Sequence, residues 1–235
     1  MNTVLKSLVL AVAAFSAASA SANLSNLSVN VGAINVAPNE SSTSLNVVES
    51  VAGLPAGSTQ VAVNNNTQLG LTFDYKFNAN WTAELVAATP FSHDVNVKGS
   101  AIDGLDVGST KHLPPTLLAQ YHFVTNSNFD PFVGVGLNYT KFFDSSASST
   151  LKSTLQALKV TTASDDVDLE LDDSFGLALQ AGFNYKLNDH WGAHFMVSKI
   201  DIDTEANVTV NGNSIQKVDV QIDPIVVMVG VRYSL

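Results

Sequence analysis

The sequence predicts an all-β protein, an eight-stranded antiparallel transmembrane barrel with short periplasmic turns and long extracellular loops. Hydrophobic residues make up 46% of the 235 positions and charged residues only 14%, which is apolar for a soluble chain. Beyond the N-terminus, however, no unbroken apolar run reaches the ~18–20 residues that a membrane helix needs. Apolar and polar residues alternate instead, as lipid-facing and lumen-facing side chains do in a membrane barrel.

Eight alternating segments follow one another, and their connections are short and long in turn, which is typical of outer-membrane barrels. The predicted strands are residues 27–38, 67–77, 81–90, 113–123, 131–142, 173–187, 191–203 and a closing strand within 217–235. The long connections are 39–66, 91–111, 143–171 and 204–216, and residues 149–160 of the third one predict one or two helical turns. The short links and both termini would then lie on the periplasmic side.

Residues 1–22 are predicted to be a secretory signal peptide, and residues 23–235 the barrel. Lys6 supplies the positive start, residues 8–18 the apolar core, and Ala18-Ser19-Ala20 or Ala20-Ser21-Ala22 the small-residue cleavage site. Removing Lys6 takes the formal charge from −10 to −11, and this acidity argues against a nucleic-acid partner. The chain has no cysteine, which excludes a lipoprotein anchor, disulfides and thiolate chemistry. We expect no cofactor and no metal.

Aromatic residues cluster near the predicted periplasmic ends of the strands. Rings at one depth indicate the girdle that forms where a barrel meets lipid headgroups. Ordinary core packing is the alternative for any single ring, and a soluble barrel such as a lipocalin is the alternative for the whole. A lipocalin points its apolar face inward, whereas here the bulkier face is apolar and the opposite face carries Gly, Asn, Gln, Asp and Lys. The girdle residues are Tyr75, Phe77, Trp81, Tyr121, Phe123, Tyr185, Trp191 and Tyr233.

The closing strand changes its polarity at Pro224. After Pro224 the odd-numbered residues are apolar, whereas before it the even-numbered ones are, and the seventh and first strands share this inversion. The three strands are neighbours in a closed barrel, so we predict a sector that rises above the lipid around an apolar tunnel, which lumen glycines would leave open. Plain core packing is the alternative. The predicted channel-lining residues are Ile34, Val36, Met196, Ile200, Ile202, Val218, Val220, Ile222, Val226 and Met228.

Charged and polar residues point inward near the periplasmic ends. An eight-stranded barrel is narrow enough to be filled by side chains, and buried charges must pair. We therefore expect a salt-bridged plug, with Glu84–Arg232 and Asp74–Lys186 as candidate pairs, that blocks a straight water pore. Catalysis by His122, His194 and Glu84 is the alternative. The plug residues are Asp74, Lys76, Glu84, His122, Lys186, His194 and Arg232.

A closed floor would force apolar solutes to leave sideways through the wall of the barrel. Such an exit needs broken hydrogen bonds between strands, and proline breaks them because it has no N–H. The candidate lateral-gate residues are Pro90, Pro114, Pro115 and Pro224. The alternative for each proline is that it marks the end of a strand.

Several motifs in order resemble the OmpW family of small outer-membrane barrels. They are ELVAATPFSHDV (84–95), KHLPPTLLAQYHF (111–123), PFVGVGLNYTKFF (131–143), DDSFGLALQAGFNYKLNDHW (172–191), KIDIDT (199–204) and KVDVQIDP (217–224). The resemblance implies a hydrophobic channel for small apolar molecules, a role in stress response and, in some members, bacteriocin reception. It also implies a lateral outlet in the barrel wall, and the residues of this sequence assigned to that outlet are Pro90, Pro114, Pro115 and Pro224. The first long loop and the final Leu235, where such barrels usually end in an aromatic residue, depart from the family's pattern.

The leading functional prediction is passive uptake through the Gram-negative outer membrane, by an apolar extracellular funnel and a lateral exit. The expected partners are outer-membrane lipid and lipopolysaccharide, small hydrophobic solutes and the barrel assembly machinery. The alternative is a receptor, adhesion or bacteriocin-binding surface carried by the loops. We do not expect an enzyme, because Ser92, His93 and Asp94 are adjacent and point apart in an extended chain. A membrane lipase built on a small barrel is the enzyme alternative. The acidic run at 165–173 indicates a solvated surface, with a divalent cation as the alternative.

Overall fold

A computed structural model describes residues 24–235, so the predicted signal peptide at 1–22 lies outside the described part of the chain. Eight strands, numbered along the chain with the others, form the barrel: β1 (Leu27–Ala37), β4 (Asn66–Lys76), β5 (Trp81–Ala88), β8 (Thr116–His122), β9 (Phe129–Ala147), β11 (Ser174–Lys186), β12 (Trp191–Ile200) and β15 (Ile225–Ser234). All neighbours are antiparallel, and the pairing of β1 with β15 closes the ring. The predicted eight-stranded barrel is confirmed.

The remaining elements lie at the end of the barrel that carries the long connections. The strands are β2 (Ser41–Ser42), β3 (Gln60–Val63), β6 (Phe91–Lys98), β7 (Asp106–Leu113), β10 (Val167–Leu171), β13 (Asp203–Val210) and β14 (Asn213–Gln221). The helices are α1 (Asn46–Ala52) and α2 (Ser149–Ala157), with short 3₁₀ turns at Leu24–Asn26 and Ser100–Ile102. Neither helix in the described residues is long and apolar enough to cross a membrane.

Each barrel strand alternates between an outer apolar face and an inner face that is largely buried. In β11, Phe175, Leu177 and Leu179 are 60–69% exposed, whereas Ala178 and Gln180, on the opposite face of the strand, are buried. Such a continuous apolar surface is unusual for a protein in water. It is the surface that lipid covers in an outer-membrane barrel.

The aromatic girdle is built on two matching turns at the short-turn end. The side-chain oxygen of Asn78 accepts hydrogen bonds from the backbone N–H groups of Asn80 and Trp81, and that of Asn188 accepts them from His190 and Trp191. Asparagine favours this local bonding, which is why both turns start with it. The Trp81 ring then meets Tyr121 edge-on at 5.3 Å between centroids, and Trp191 meets Tyr233 at 4.8 Å.

Two sheets continue the structure above the barrel. The upper part of β9 pairs with β7, followed by β6 and β3, while β10, β13, β14 and β2 form a separate four-stranded sheet. The sheets and both helices enclose an apolar core of their own, made of Leu45, Val61, Val95, Val97, Val107, Leu151, Leu155, Val167, Leu169, Val208, Val218 and Val220. The extracellular part of the chain is therefore a folded extension of the barrel.

Three of the predicted long connections are not plain loops but contain strands or a helix, so this part of the prediction was wrong. Residues 39–66 contain β2, α1 and β3, residues 91–111 form most of the β6–β7 hairpin, and residues 204–216 form most of β13 and the start of β14. The β13–β14 hairpin turns at Asn211-Gly212, where both residues have positive φ. An Asn-Gly pair between alternating segments is a strong hairpin signal, and it was overlooked.

The predicted closing strand at 217–235 is two strands. β14 pairs with β13 and β2 in the upper sheet, whereas β15 pairs with β12 and β1 in the barrel. Residues 222–224 join them, and Asp223 takes a positive φ of 36°. Pro224 cannot donate to a ladder, but its carbonyl accepts the N–H of Ile200. The change of polarity at Pro224 therefore marks the step from barrel to extension.

The lumen glycines do not leave open space, contrary to expectation. A Cβ added at Gly136 would lie 2.1 Å from the carbonyl oxygen of Leu117 on the next strand, and Gly176 and Gly182 meet neighbouring backbone at 2.0 and 2.3 Å. A Cβ added at Gly70 would lie 2.8 Å from the side chain of Ile34, and one added at Gly134 would lie 3.1 Å from the side chain of Gln180. These positions are glycine because adjacent strands approach closely in the coiled wall of a small barrel.

Candidate functional site

The predicted channel-lining residues are collected in two apolar clusters, one above the other. Seven of them are buried together in the upper barrel: Ile34, Val36, Met196, Ile200, Ile202, Val226 and Met228. Val218 and Val220 belong to the core of the extension, and Ile222 is partly buried and packs against both clusters. An ordinary core would bury the same side chains, so their role in lining a solute path stays a prediction.

Two narrow cavities run through these clusters. The upper cavity has a volume of about 40 Å³ and lies between the sheets of the extension, from Val61 and Val95 down to Pro224. The lower cavity, about 20 Å³, lies in the upper barrel and is lined by Ile34, Met196 and Phe91 among others. Val36 lines both. At these volumes each cavity holds about one water-sized molecule, so a solute must displace side chains.

A stack of four rings between the cavities was missed in the sequence. Phe91 is fully buried and stacks on His112 at 5.3 Å, His112 stacks on His93 at 4.9 Å, and Phe142 meets His112 at 5.6 Å. The signal was present, because Phe91 and His93 alternate in phase with Val95 and Val97 along β6, whose burial alternates likewise. The stack places two imidazoles inside an otherwise apolar path.

Both imidazoles are held neutral by their surroundings. Burial lowers the pKa of His112 to about 3, and the nearby His93 adds to the effect. Burial also lowers the pKa of His93, although a hydrogen bond from its Nδ1 to the carbonyl of Asn64 acts in the opposite direction. Ser92 and Asp94 lie on the exposed face of β6 while His93 points inward, so these three residues do not form a hydrolytic relay.

The floor of the barrel is polar, but the predicted ion pairs were wrong. Arg232 pairs with Asp74 and not with Glu84, and Lys186 is exposed at the end of β11. Asn30 on β1, between the strands of the pair, accepts a hydrogen bond from Arg232 at 3.1 Å and donates one to Asp74 at 3.1 Å. This ion pair forms because β1 pairs with β15 and with β4 in a register that places Arg232 and Asp74 on either side of Asn30.

The rest of the floor is a set of hydrogen bonds across the lumen. Gln180 donates to Glu84 at 2.7 Å and accepts from Gln120 at 2.8 Å. His122 bonds Asp130 at 2.9 Å, and His194 bonds Asn184 at 2.8 Å. The structure thus brings together five of the seven predicted plug residues. Lys76 and Lys186 line a polar cavity of about 250 Å³ at the periplasmic mouth, together with His122 and Arg232.

Three of the four candidate gate prolines lie at one break in the barrel wall. The pairing of β5 with β8 ends at Val86 and Thr116, and pairing resumes above it between Phe91 of β6 and His112 of β7. The intervening residues, 87–90 and 113–115, form a gap that we call the seam, and it contains Pro90, Pro114 and Pro115. Pro224 lies elsewhere, because three ladders separate β15 from β5.

The seam adjoins the lower cavity, which Ala87, Ala88 and Pro114 help to line. Its β5 side is held by pairing of Ala88 with Gly70 on β4. On its β8 side, Asn138 donates to the carbonyl oxygen of Pro114 at 3.2 Å and to the hydroxyl of Thr116 at 2.9 Å. Both edges are therefore braced from behind while the pairing between them is missing.

Comparisons with known proteins agree with this architecture. The OmpW family model matches residues 24–235. Outer membrane protein W of Vibrio cholerae serotype O1 is 42% identical over 208 residues, which cover 88% of this chain and 87% of that protein. The crystal structure of the outer membrane protein OprG from Pseudomonas aeruginosa has a TM-score of 0.74 at 41% identity, covering 88% of this chain and 94% of that one.

A more distant relative is the dibenzothiophene metabolism operon protein PahQ of Pseudomonas aeruginosa, 25% identical over 180 residues, or 76% of this chain and 75% of that protein. The family match covers all the described residues, and the 42% identical relative is an outer-membrane protein. The predicted outer-membrane location and the contact of the barrel with membrane lipid follow from these findings and from the closed barrel. The chain belongs to the OmpW family of outer-membrane proteins.

Proposed function

We propose that the protein is a passive channel that takes small hydrophobic molecules from the outside and releases them sideways into the outer membrane. One observation carries the proposal. An apolar interior lies above a hydrogen-bonded polar floor, and the wall between them has an unpaired seam beside the lower cavity. An apolar solute that reaches the lower cavity is then nearer to lipid than to the periplasm.

The physical chemistry of the floor favours the sideways route. To pass downward, an apolar solute must separate buried groups such as Glu84, Gln180 and Asp74 from their partners. Each polar group left without a hydrogen bond costs roughly 1–3 kcal/mol. Moving from the apolar cavity into lipid instead costs an apolar molecule little, because neither surrounding exposes it to water, whereas return to water costs about 0.8 kcal/mol for each CH₂.

The entry is proposed to lie at the top of the extension. An apolar cleft there, about 50 Å³ in volume, is lined by α1, α2 and the strands beneath them. Val47 and Val51 at its rim are 37% and 41% exposed. Exposed apolar side chains beside an apolar cleft suit the capture of a hydrophobic solute. The name of PahQ, which refers to the metabolism of an aromatic sulfur heterocycle, supports solutes of this kind.

Matched variants on one strand test the proposal. Val220→Asp places a charge in the upper cavity, whereas Gln221→Asp places the same charge on the exposed face one residue away. Uptake of a small apolar dye by cells that express the protein should fall to the vector background with the first and stay at the wild-type level with the second. Equal uptake by both variants and the wild type contradicts an apolar path.

The other proposed contacts are lipopolysaccharide around the upper barrel and the assembly machinery during insertion. A receptor or adhesion role is a second candidate, favoured by the fixed surface that a folded extension presents. Deleting 143–171 would also unfold the extension, because this segment supplies Leu151, Leu155, Val167 and Leu169 to its core. Substituting exposed residues of α2, such as Ser153 and Gln156, should abolish partner binding and leave dye uptake intact.

A further inference from the structure

Two buried nitrogen atoms beside the upper cavity have no hydrogen-bond partner. Within residues 24–235, six buried side-chain polar atoms are without one, and two of the six, His93 Nε2 and His112 Nδ1, belong to residues that line this cavity. The two side chains are 3% and 5% exposed. Buried polar groups in proteins are nearly always satisfied, and an exception needs an explanation.

Neither atom can satisfy the other. The two rings stack with centroids 4.9 Å apart and planes 23° from parallel, so their in-plane nitrogens do not point at one another. The Nδ1 atom of His93 faces the carbonyl oxygen of Asn64, which makes it the N–H donor. In a neutral imidazole the remaining Nε2 then carries a lone pair and can only accept. His93 Nε2 is therefore a buried acceptor within the wall of the cavity, and a solute reaches it by displacing lining side chains, because the cavity surface itself is apolar.

The rest of the lining determines what kind of group this acceptor suits. The other lining residues are mainly aliphatic, with only the small hydroxyls of Thr110, Thr140 and Thr204 added. Asp94, the charged neighbour of His93, lies on the exposed face of β6. A charged ligand would find no counter-charge here and would lose its hydration. A neutral donor group would lose its bond to water and regain one at His93.

We infer that His93 and His112 form a recognition point for the single O–H or N–H group of a neutral, otherwise apolar solute, such as a phenol, a long-chain alcohol or an indole-like heterocycle. This inference rests on the proposed channel function and adds a polar selectivity to it. The ring stack lies between the two cavities, so a solute passes it on the way to the seam. A hydrogen-bonding solute is held there, whereas a hydrocarbon of the same shape has only apolar contacts.

Two probes of one shape test the inference: 2-naphthol, which carries one O–H, and naphthalene, which carries none. Their binding is measured by fluorescence to the purified protein in lipid nanodiscs at pH 7, with empty nanodiscs subtracted. The wild type should bind 2-naphthol about tenfold more tightly than naphthalene, the effect of one buried hydrogen bond. His112→Phe keeps the ring stack without nitrogens. His93→Asn keeps an N–H donor for Asn64 but has no acceptor at the position of Nε2, because its shorter side chain places the amide oxygen nearer the backbone.

Each variant should lose most of the tenfold preference through weaker binding of 2-naphthol, while naphthalene binding changes less than twofold. His190→Phe, at an exposed turn far from the cavity, should behave as the wild type. Equal binding of both probes by the wild type, or an equal loss of both in the variants, overturns the inference but not the channel. If the wild type binds neither probe, the channel itself is contradicted. His93→Asn decides alone if His112→Phe does not fold, as judged by its β-sheet circular dichroism.

Discussion

Arg232 on β15 and Asp74 on β4 form an ion pair across the intervening strand β1, with Asn30 of β1 bonded to both. The Arg232 side chain is 14% exposed and the Asp74 side chain 2%. The buried Asp74 carboxylate on β4 therefore has two partners on other strands, Arg232 on β15 and Asn30 on β1. The pair lies next to the contact between β1 and β15, the two strands that close the barrel.

Asp74→Asn should lower the free energy of unfolding by about 3–5 kcal/mol, because it leaves the Arg232 charge buried without its partner. Unfolding in urea from lipid vesicles, followed by tryptophan fluorescence, measures the change. The surface pair of Lys217 and Glu205 is the control, since its side chains are 57% and 35% exposed. Lys217→Met should cost far less than Asp74→Asn, because water screens an exposed pair. Similar losses in the two variants would contradict the structural role assigned to the inner pair.

Gly136→Ala should destabilise the barrel more than Gly134→Ala, although both glycines lie on the lumen face of β9. The added Cβ at 136 meets the backbone of Leu117 at 2.1 Å, whereas at 134 it meets the movable side chain of Gln180 at 3.1 Å. Overpacking of this kind costs about 1–3 kcal/mol, so we expect a difference of about 2 kcal/mol in the same unfolding assay. If both variants are as stable as the wild type, the glycines are not required for close strand approach.

The extension should lose stability as the pH falls below 6.5. An unfolded His112 protonates near pH 6.5, whereas the buried one stays neutral down to about pH 3. Between about pH 3 and 6.5 the unfolded state therefore binds more protons than the folded state. The contribution of the neutral His112 to stability is fully present above pH 6.5 and decreases as the pH falls below it. At pH 5 the loss is about 2 kcal/mol for this residue. Hydrogen-exchange protection factors of β6 and β7 at pH 8 and pH 5 measure it.

His112→Phe should reduce this pH dependence, since phenylalanine does not titrate. His190→Phe should leave it unchanged, because His190 lies in the turn between β11 and β12, at the opposite end of the barrel from β6 and β7. A wild-type protein whose β6 and β7 are equally protected at both pH values would show that His112 is not buried in the neutral form.

The barrel was predictable from sequence because lipid requires apolar side chains at every second position of each strand. The same period placed Ile34, Met196 and Met228 on the inner face. The extension was predicted only in part: a sector above the lipid was expected from the first, seventh and closing strands, whereas β6, β7 and β13 lie in segments that were interpreted as loops. Val95 and Val97 alternate as clearly as any barrel strand, and Asn211-Gly212 marks a hairpin.

The pairing of the floor was less accessible to prediction. Asp74, Glu84 and Arg232 were all expected to point inward, and they do. Which carboxylate meets the guanidinium depends on strand order and register, since Arg232 and Asp74 are joined through Asn30 on the strand between them. The seam could likewise not be predicted without knowing where the β5–β8 and β6–β7 pairings end. The prolines at 90, 114 and 115 nevertheless indicated its position.

Closing the seam tests the central claim most directly, and the absence of native cysteine makes the experiment clean. Ala88→Cys and Pro114→Cys, on opposite edges of the seam, are joined by a short bifunctional methanethiosulfonate that a reductant removes. The control pair, Leu85→Cys with Leu117→Cys, bridges two directly opposed lipid-facing residues where the ladder is intact. Uptake of the apolar dye should fall to the vector background when the seam is linked, return with reductant, and stay unchanged in the linked control. Full uptake through a linked seam would contradict lateral release.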